Sequence, residues 1–100
     1  MVTKTPEHKY LEPVQRVLRG FDPHQSNRYF LFGSSVRKKT FHDLDLGVIG
    51  NTRSHKRLAD LRERFYDSNI PYKVDVVDLD AADEDFREYV LHNEPIVWIP

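Results

Sequence analysis

Cysteine is absent from this 100-residue chain, which excludes a disulfide framework and any thiolate metal site. No apolar run approaches the length needed to cross a bilayer, so a membrane span is not expected. The opening MVTKTPEHKY lacks the apolar core of a secretory signal, and a cytoplasmic location is the expectation. There is no excess of charge of either sign: 15 basic and 16 acidic residues leave a net charge of −1. That balance argues against strong nucleic-acid binding through bulk electrostatics. Internal repeats, low-complexity blocks and linkers are also missing, so residues 1–100 read as one domain. No serine sits in a G-x-S-x-G elbow, which leaves no sign of a serine hydrolase.

What remains is a soluble globular composition, 39% apolar and 12% aromatic, in alternating helix and strand patterns. Tyr10, Leu11, Val14, Val17, Leu18 and Phe21 recur at helical spacing. Pro13 either opens that helix or kinks a longer one starting near Pro6, and Gly20 is the expected stop. Tyr29 to Phe32 is an aromatic strand, apolar enough to be buried on both faces. Leu44 to Ile49 is a second strand. Ser54 caps a helix carrying Leu58, Leu61 and Phe65 on one stripe and ending near Asn69. Tyr72 to Leu79 is a third strand. Asp83 caps a last helix with Phe86, Tyr89 and Val90 inward, and Ile96 to Ile99 adds a short final strand. The first two strands are too close in sequence for a crossover helix, so they pair antiparallel. The expected fold class is α/β (α+β): a small mixed sheet flanked by helices.

Within this frame Asp43-Leu44-Asp45-Leu46 is unusual, because aspartate is depleted in strands. On a strand the two aspartates share a face with α-carbons about 6–7 Å apart, while the leucines point to the core. Water or a divalent cation must compensate that charge. Magnesium favours oxygen ligands and commonly takes one or two carboxylates together with substrate phosphates. Asp75, central in a neighbouring strand, is the candidate third carboxylate; Asp78 is its rival, out of phase with it. Gly33 and Ser34 form a tight turn ahead of the pair, suited to close approach by a polyanion. Arg37, Lys38 and Lys39 follow it. With ten aspartates, about one D-x-D is expected by chance and three occur, so the motif alone decides nothing. Asp78, Asp80, Asp83 and Asp85 read as a solvated loop and an acidic helix start. His42 reads as a surface histidine, since no other histidine stands at ligand spacing from it.

The order of these features resembles the minimal nucleotidyltransferases of the DNA polymerase beta-like superfamily. The resemblance stands on Phe32-Gly33-Ser34-Ser35-Val36-Arg37, then Asp43-Leu44-Asp45-Leu46, then Lys73-Val74-Asp75-Val76-Val77-Asp78. It implies the polymerase beta-like palm fold and transfer of a nucleoside monophosphate from a nucleoside triphosphate, ATP favoured, to a hydroxyl, releasing pyrophosphate. It implies that Asp43, Asp45 and Asp75 are catalytic and hold one or two Mg²⁺ ions, and that Gly33, Ser34 and Arg37 bind the nucleotide. It further implies an all-helical HEPN-type protein partner in a toxin-antitoxin pair, with this chain antitoxin-like. Lys38 and His42 depart from the family pattern, and the span between Gly33 and Asp43 is shorter than usual. Those departures suit an alternative: a catalytically weak or inactive subunit acting on its partner by contact. An exposed part of Tyr89 to Trp98 is a candidate docking surface, with ordinary core packing the other reading.

Overall fold

Antiparallel pairing joins Asn27–Phe32 (β1) to Asp43–Gly50 (β2), as the short connection demands. The structure, a computed structural model, describes residues 11–33, 36, 43–50 and 55–100. Its other elements are helices Leu11–Phe21 (α1), His55–Tyr66 (α2) and Glu84–Asn93 (α3), and strands Lys73–Asp78 (β3) and Val97–Ile99 (β4). The sheet runs β3-β2-β1-β4. Strand β3 lies parallel to β2, reached through α2, and β4 lies antiparallel to β1. The mixed sheet expected from the sequence is the one observed.

Each face of the sheet has its own apolar cluster. Tyr29 and Leu31 of β1, Leu44, Leu46 and Val48 of β2, and Val76 of β3 pack against α1 and α2. From α1 come Val14, Leu18 and Phe21, one stripe at helical spacing; from α2 come Leu58, Leu61 and Phe65. On the opposite face Phe30, Phe32 and Leu79 meet Val90 of α3, with Ile49, Val77 and Ile96 alongside. Tyr29 to Phe32 are therefore all buried, because β1 is covered on both sides.

Several boundaries differ from expectation. Helix α1 runs through Gly20 to Phe21, whose buried ring makes one more residue of helix favourable; a start near Pro6 falls outside the described residues. Helix α2 stops at Tyr66, because the Ser68 hydroxyl donates to the Phe65 carbonyl at 2.6 Å and takes the Ile70 amide at 3.3 Å. The expected cap Ser54 lies outside the described residues. Asp83 does cap α3, accepting from the Asp85 amide at 3.2 Å. Phe86 and Tyr89 do not face inward: they are 44% and 54% exposed, and only Val90 of the three is buried. The helix phase is set by Val90 and Leu91, which leaves those aromatics on its flank.

The loop after α1 is organised by a buried carboxylate. Asp22 accepts from the Ser26 and Asn27 amides and from the Tyr29 hydroxyl, each at 2.9 Å, which ties the end of α1 to the start of β1. Burial works to raise its pKa. The hydrogen bonds from Ser26, Asn27 and Tyr29 outweigh burial and hold the carboxyl below its ordinary value of 3.8.

Candidate active site

Strand alternation and register together decide where the carboxylates sit. Asp43 and Asp45 occupy the same face of β2, opposite the buried Leu44 and Leu46. Asp45 is in register with Asp75 on β3, so in this parallel pair Asp75 shares that face. Asp43 and Asp75 are exposed and Asp45 is half-buried. The face is divided between two uses. Its far half, from Phe30, Phe32 and Val77 onward, lies under α3; the half carrying the carboxylates lies beyond that cluster.

Two glycines let this division stand. Gly47, in register with Phe30, allows the ring to lie directly over β2; a Cβ there would overlap the ring, with its Cε atoms at 2.7 and 2.8 Å. Phe30 in turn packs on Phe32 and Trp98 with ring centroids 5.6 and 5.0 Å apart. Phe32 is the antiparallel partner of Asp45, so this aromatic row ends beside the carboxylate. Gly33 follows Phe32 with φ +79°, in the left-handed region that glycine tolerates. Its backbone lies against Asp45, and a Cβ would collide with Asp45 Oδ2. The Val36 amide donates to the Gly33 carbonyl at 3.1 Å, turning the chain directly after β1. The glycine turn and the D-x-D strand are thus in contact.

Asp78 belongs to a different structure. It lies on the face of β3 opposite Asp75, and its Oδ1 accepts from the amides of Asp80 and Ala81 at 3.0 and 3.2 Å. Asp80 in turn takes the Gly50 amide at 2.8 Å. These acids shape the turn out of β3, as the reading of them as loop and helix-start residues expects. Ser34 and Arg37, and with them Lys38 and His42, fall outside the described residues.

A profile of the polymerase beta nucleotidyltransferases matches residues 21–99, which takes in β1 to β4, α2 and α3. The chain belongs to that family. Its palm-like mixed sheet is that family's fold. This nucleotidyltransferase domain is 39% identical over 62 residues to a probable protein adenylyltransferase, MntA, of Haemophilus influenzae. That match takes in 59% of this chain and 54% of the relative, so the chain spans about half the length of the curated protein it matches. It also superposes on a chain from the crystal structure of a toxin-antitoxin with AMP-PNP, with a TM-score of 0.69. That superposition covers 90% of this chain and 73% of the other at 21% identity, and at that level it speaks for the fold.

The donor chemistry of this domain fits a hard divalent cation. The three acids on the open half-face offer only oxygen, and two of them are register neighbours. Among the described residues no group of three His, Cys, Asp or Glu side chains is gathered to enclose an ion by itself. An ion that completes its shell from phosphate and water needs no such enclosure. A site for one or two carboxylates plus a substrate's oxygens is what this half-face offers.

Proposed function

We propose that the protein transfers a nucleoside monophosphate, from ATP in preference to other triphosphates, to a hydroxyl of a partner protein, with magnesium as cofactor. The observation that carries this reading is the contact between the Gly33 turn and Asp45, with Asp75 in register beside it. The adenylyltransferase name of the relative supports nucleotide transfer to protein. The fold shared with a chain of a toxin-antitoxin crystallised with AMP-PNP supports both the nucleotide and a protein partner. By resemblance that partner is an all-helical HEPN-type protein.

Asp43 and Asp45 hold the magnesium, and the Gly33 backbone with Ser34 and Arg37 binds the triphosphate. Magnesium held there by Asp43 and Asp45 would supply positive charge that offsets the triphosphate's charge. Asp75 orients the acceptor hydroxyl and takes its proton. A bond forms from the acceptor oxygen to the α-phosphorus, the bridging oxygen to the β-phosphorus leaves, and pyrophosphate is released. The domain contributes positioning above all, which fits a site built on strands.

The test is incubation of the purified chain, the product of its neighbouring gene, magnesium and α-labelled ATP, alongside the Asp43→Asn/Asp45→Asn variant. Label should enter the partner with the wild type and fall by at least about 100-fold with the variant. Complex formation with no label transfer by either protein replaces this reading with one in which the subunit acts by contact.

A further inference from the structure

Strand β3 ends the sheet: β2 pairs with one side of it, and among the described residues no strand pairs with the other. An edge of this kind is a template for an added strand. Arg62 of α2 reaches across and donates to the Val76 carbonyl at 3.0 Å. That carbonyl therefore points away from β2, and by strand alternation so do the amide and carbonyl of Val74. The guanidinium blocks the edge at Val76, and among the described residues no strand pairs with the stretch before it.

A groove runs along this edge. Its floor is Phe65, Ile70, Val74 and Val76, a largely apolar surface on the α2 side of the sheet, with Tyr66 standing 84% exposed at its wall. Its volume, about 540 Å³, accommodates a few side chains. The charged residues that line it, apart from Asp75, are both cations: Arg62 and Lys73. Asp75 is at once a wall of the groove and the carboxylate in register with Asp45.

We infer that the acceptor protein docks here as an extended segment added to the β3 edge, presenting its hydroxyl side chain beside Asp75. This rests on the transferase reading and adds to it the form in which the acceptor arrives. The geometry sets the sequence that fits. The residue of the added strand opposite Asp75 points to Asp75's face, with Cβ atoms about 4.5–5.5 Å apart. Its two neighbours point the other way, over Phe65 and Val74, and must be apolar. The positive groove favours an acidic residue next to that core. The acceptor segment therefore reads apolar-hydroxyl-apolar with an acidic flank, and Arg62 sets where its pairing ends.

The test uses a short peptide with one tyrosine between two valines and a glutamate at each end, added to the isotope-labelled full chain. A matched peptide is N-methylated at the amides that would pair with β3. The first should shift backbone amide resonances of residues 73–77 and saturate. The N-methylated form should bind on the order of tenfold more weakly, as expected for losing one or two backbone hydrogen bonds. Arg62→Glu should weaken the glutamate-flanked peptide and favour a lysine-flanked one. Shifts confined to α3, equal binding of the methylated peptide, or no binding would overturn the proposal. Binding is read without nucleotide, so it is independent of label transfer. Edge binding without transfer counts against the transferase reading alone, and transfer to a partner without edge binding counts against the docking mode alone.

Discussion

Gly33 and Gly47 show how one atom can matter for different reasons on the same sheet face. At Gly33 an added Cβ meets Asp45 Oδ2, and φ is +79°. Alanine there is strained by about 1–2 kcal/mol and displaces a carboxylate assigned to the metal. At Gly47 the Cβ meets the buried Phe30 ring and not a carboxylate. Alanine there overpacks a core and should cost about 1–3 kcal/mol. The expected outcome is a dissociation of effects. Gly33→Ala should reduce nucleotide transfer on the order of 100-fold, as a misplaced catalytic group does, beyond what its loss of stability explains. Gly47→Ala should lower the urea midpoint as much or more, while the folded fraction keeps its transfer rate within about threefold. Paired urea titrations and initial rates on the two variants decide it. Equal rate losses at equal stability would mean that the contact with Asp45 has no special role.

At the scale of elements, the join between α1 and β1 hangs on Asp22, which is 4% exposed and accepts three hydrogen bonds. Its folded pKa is depressed below 3.8, so the unfolded chain binds its proton first as the pH drops. The stability it contributes is full above 3.8 and is lost as the pH falls through the lower folded value. Asp22→Asn should therefore cost on the order of 2 kcal/mol at neutral pH, and the gap to wild type should close as the pH falls below 3.8. Urea midpoints across that range are the measurement; a gap independent of pH would assign the cost to shape and not to charge. Nothing along the chain points to this residue, because Asp22-Pro23 reads as an ordinary loop start and the spacing of Ser26, Asn27 and Tyr29 marks no shared carboxylate partner. The strands were legible, since alternation separates Leu44 and Leu46 from Asp43 and Asp45 without knowledge of the partners. Helix α3 was legible in position and cap but not in phase. Phe86, Tyr89, Val90 and Leu91 spread over more than one stripe, and only packing against Phe30 and Phe32 selects Val90. The contact of Gly33 with Asp45 was not legible, because it depends on a register that only the folded sheet fixes.

For the molecule as a whole, a sheet buried on one face and half open on the other carries an internal conflict. The buried face supplies the stability, through two helices packed on Leu44, Leu46 and Val48. The open half-face carries Asp43, Asp45 and Asp75, and the like charges of Asp45 and Asp75 in register oppose folding by about 0.2–1 kcal/mol. Magnesium and nucleotide bound to those charges offset that cost. Asp43→Asn/Asp45→Asn should then make the unliganded protein slightly more stable than wild type. Adding Mg-ATP should reverse the order. At about 100 times its dissociation constant a ligand stabilises the wild type by about 2.7 kcal/mol, and the variant, without its ligating charges, should gain almost none of that. Thermal melts of both proteins with and without magnesium and a non-hydrolysable ATP analogue give the crossing directly, with no partner or acceptor present. If the variant gained as much as the wild type, the carboxylates would not be ligands. If it were less stable without ligand, the charge conflict assigned to this half-face would be absent.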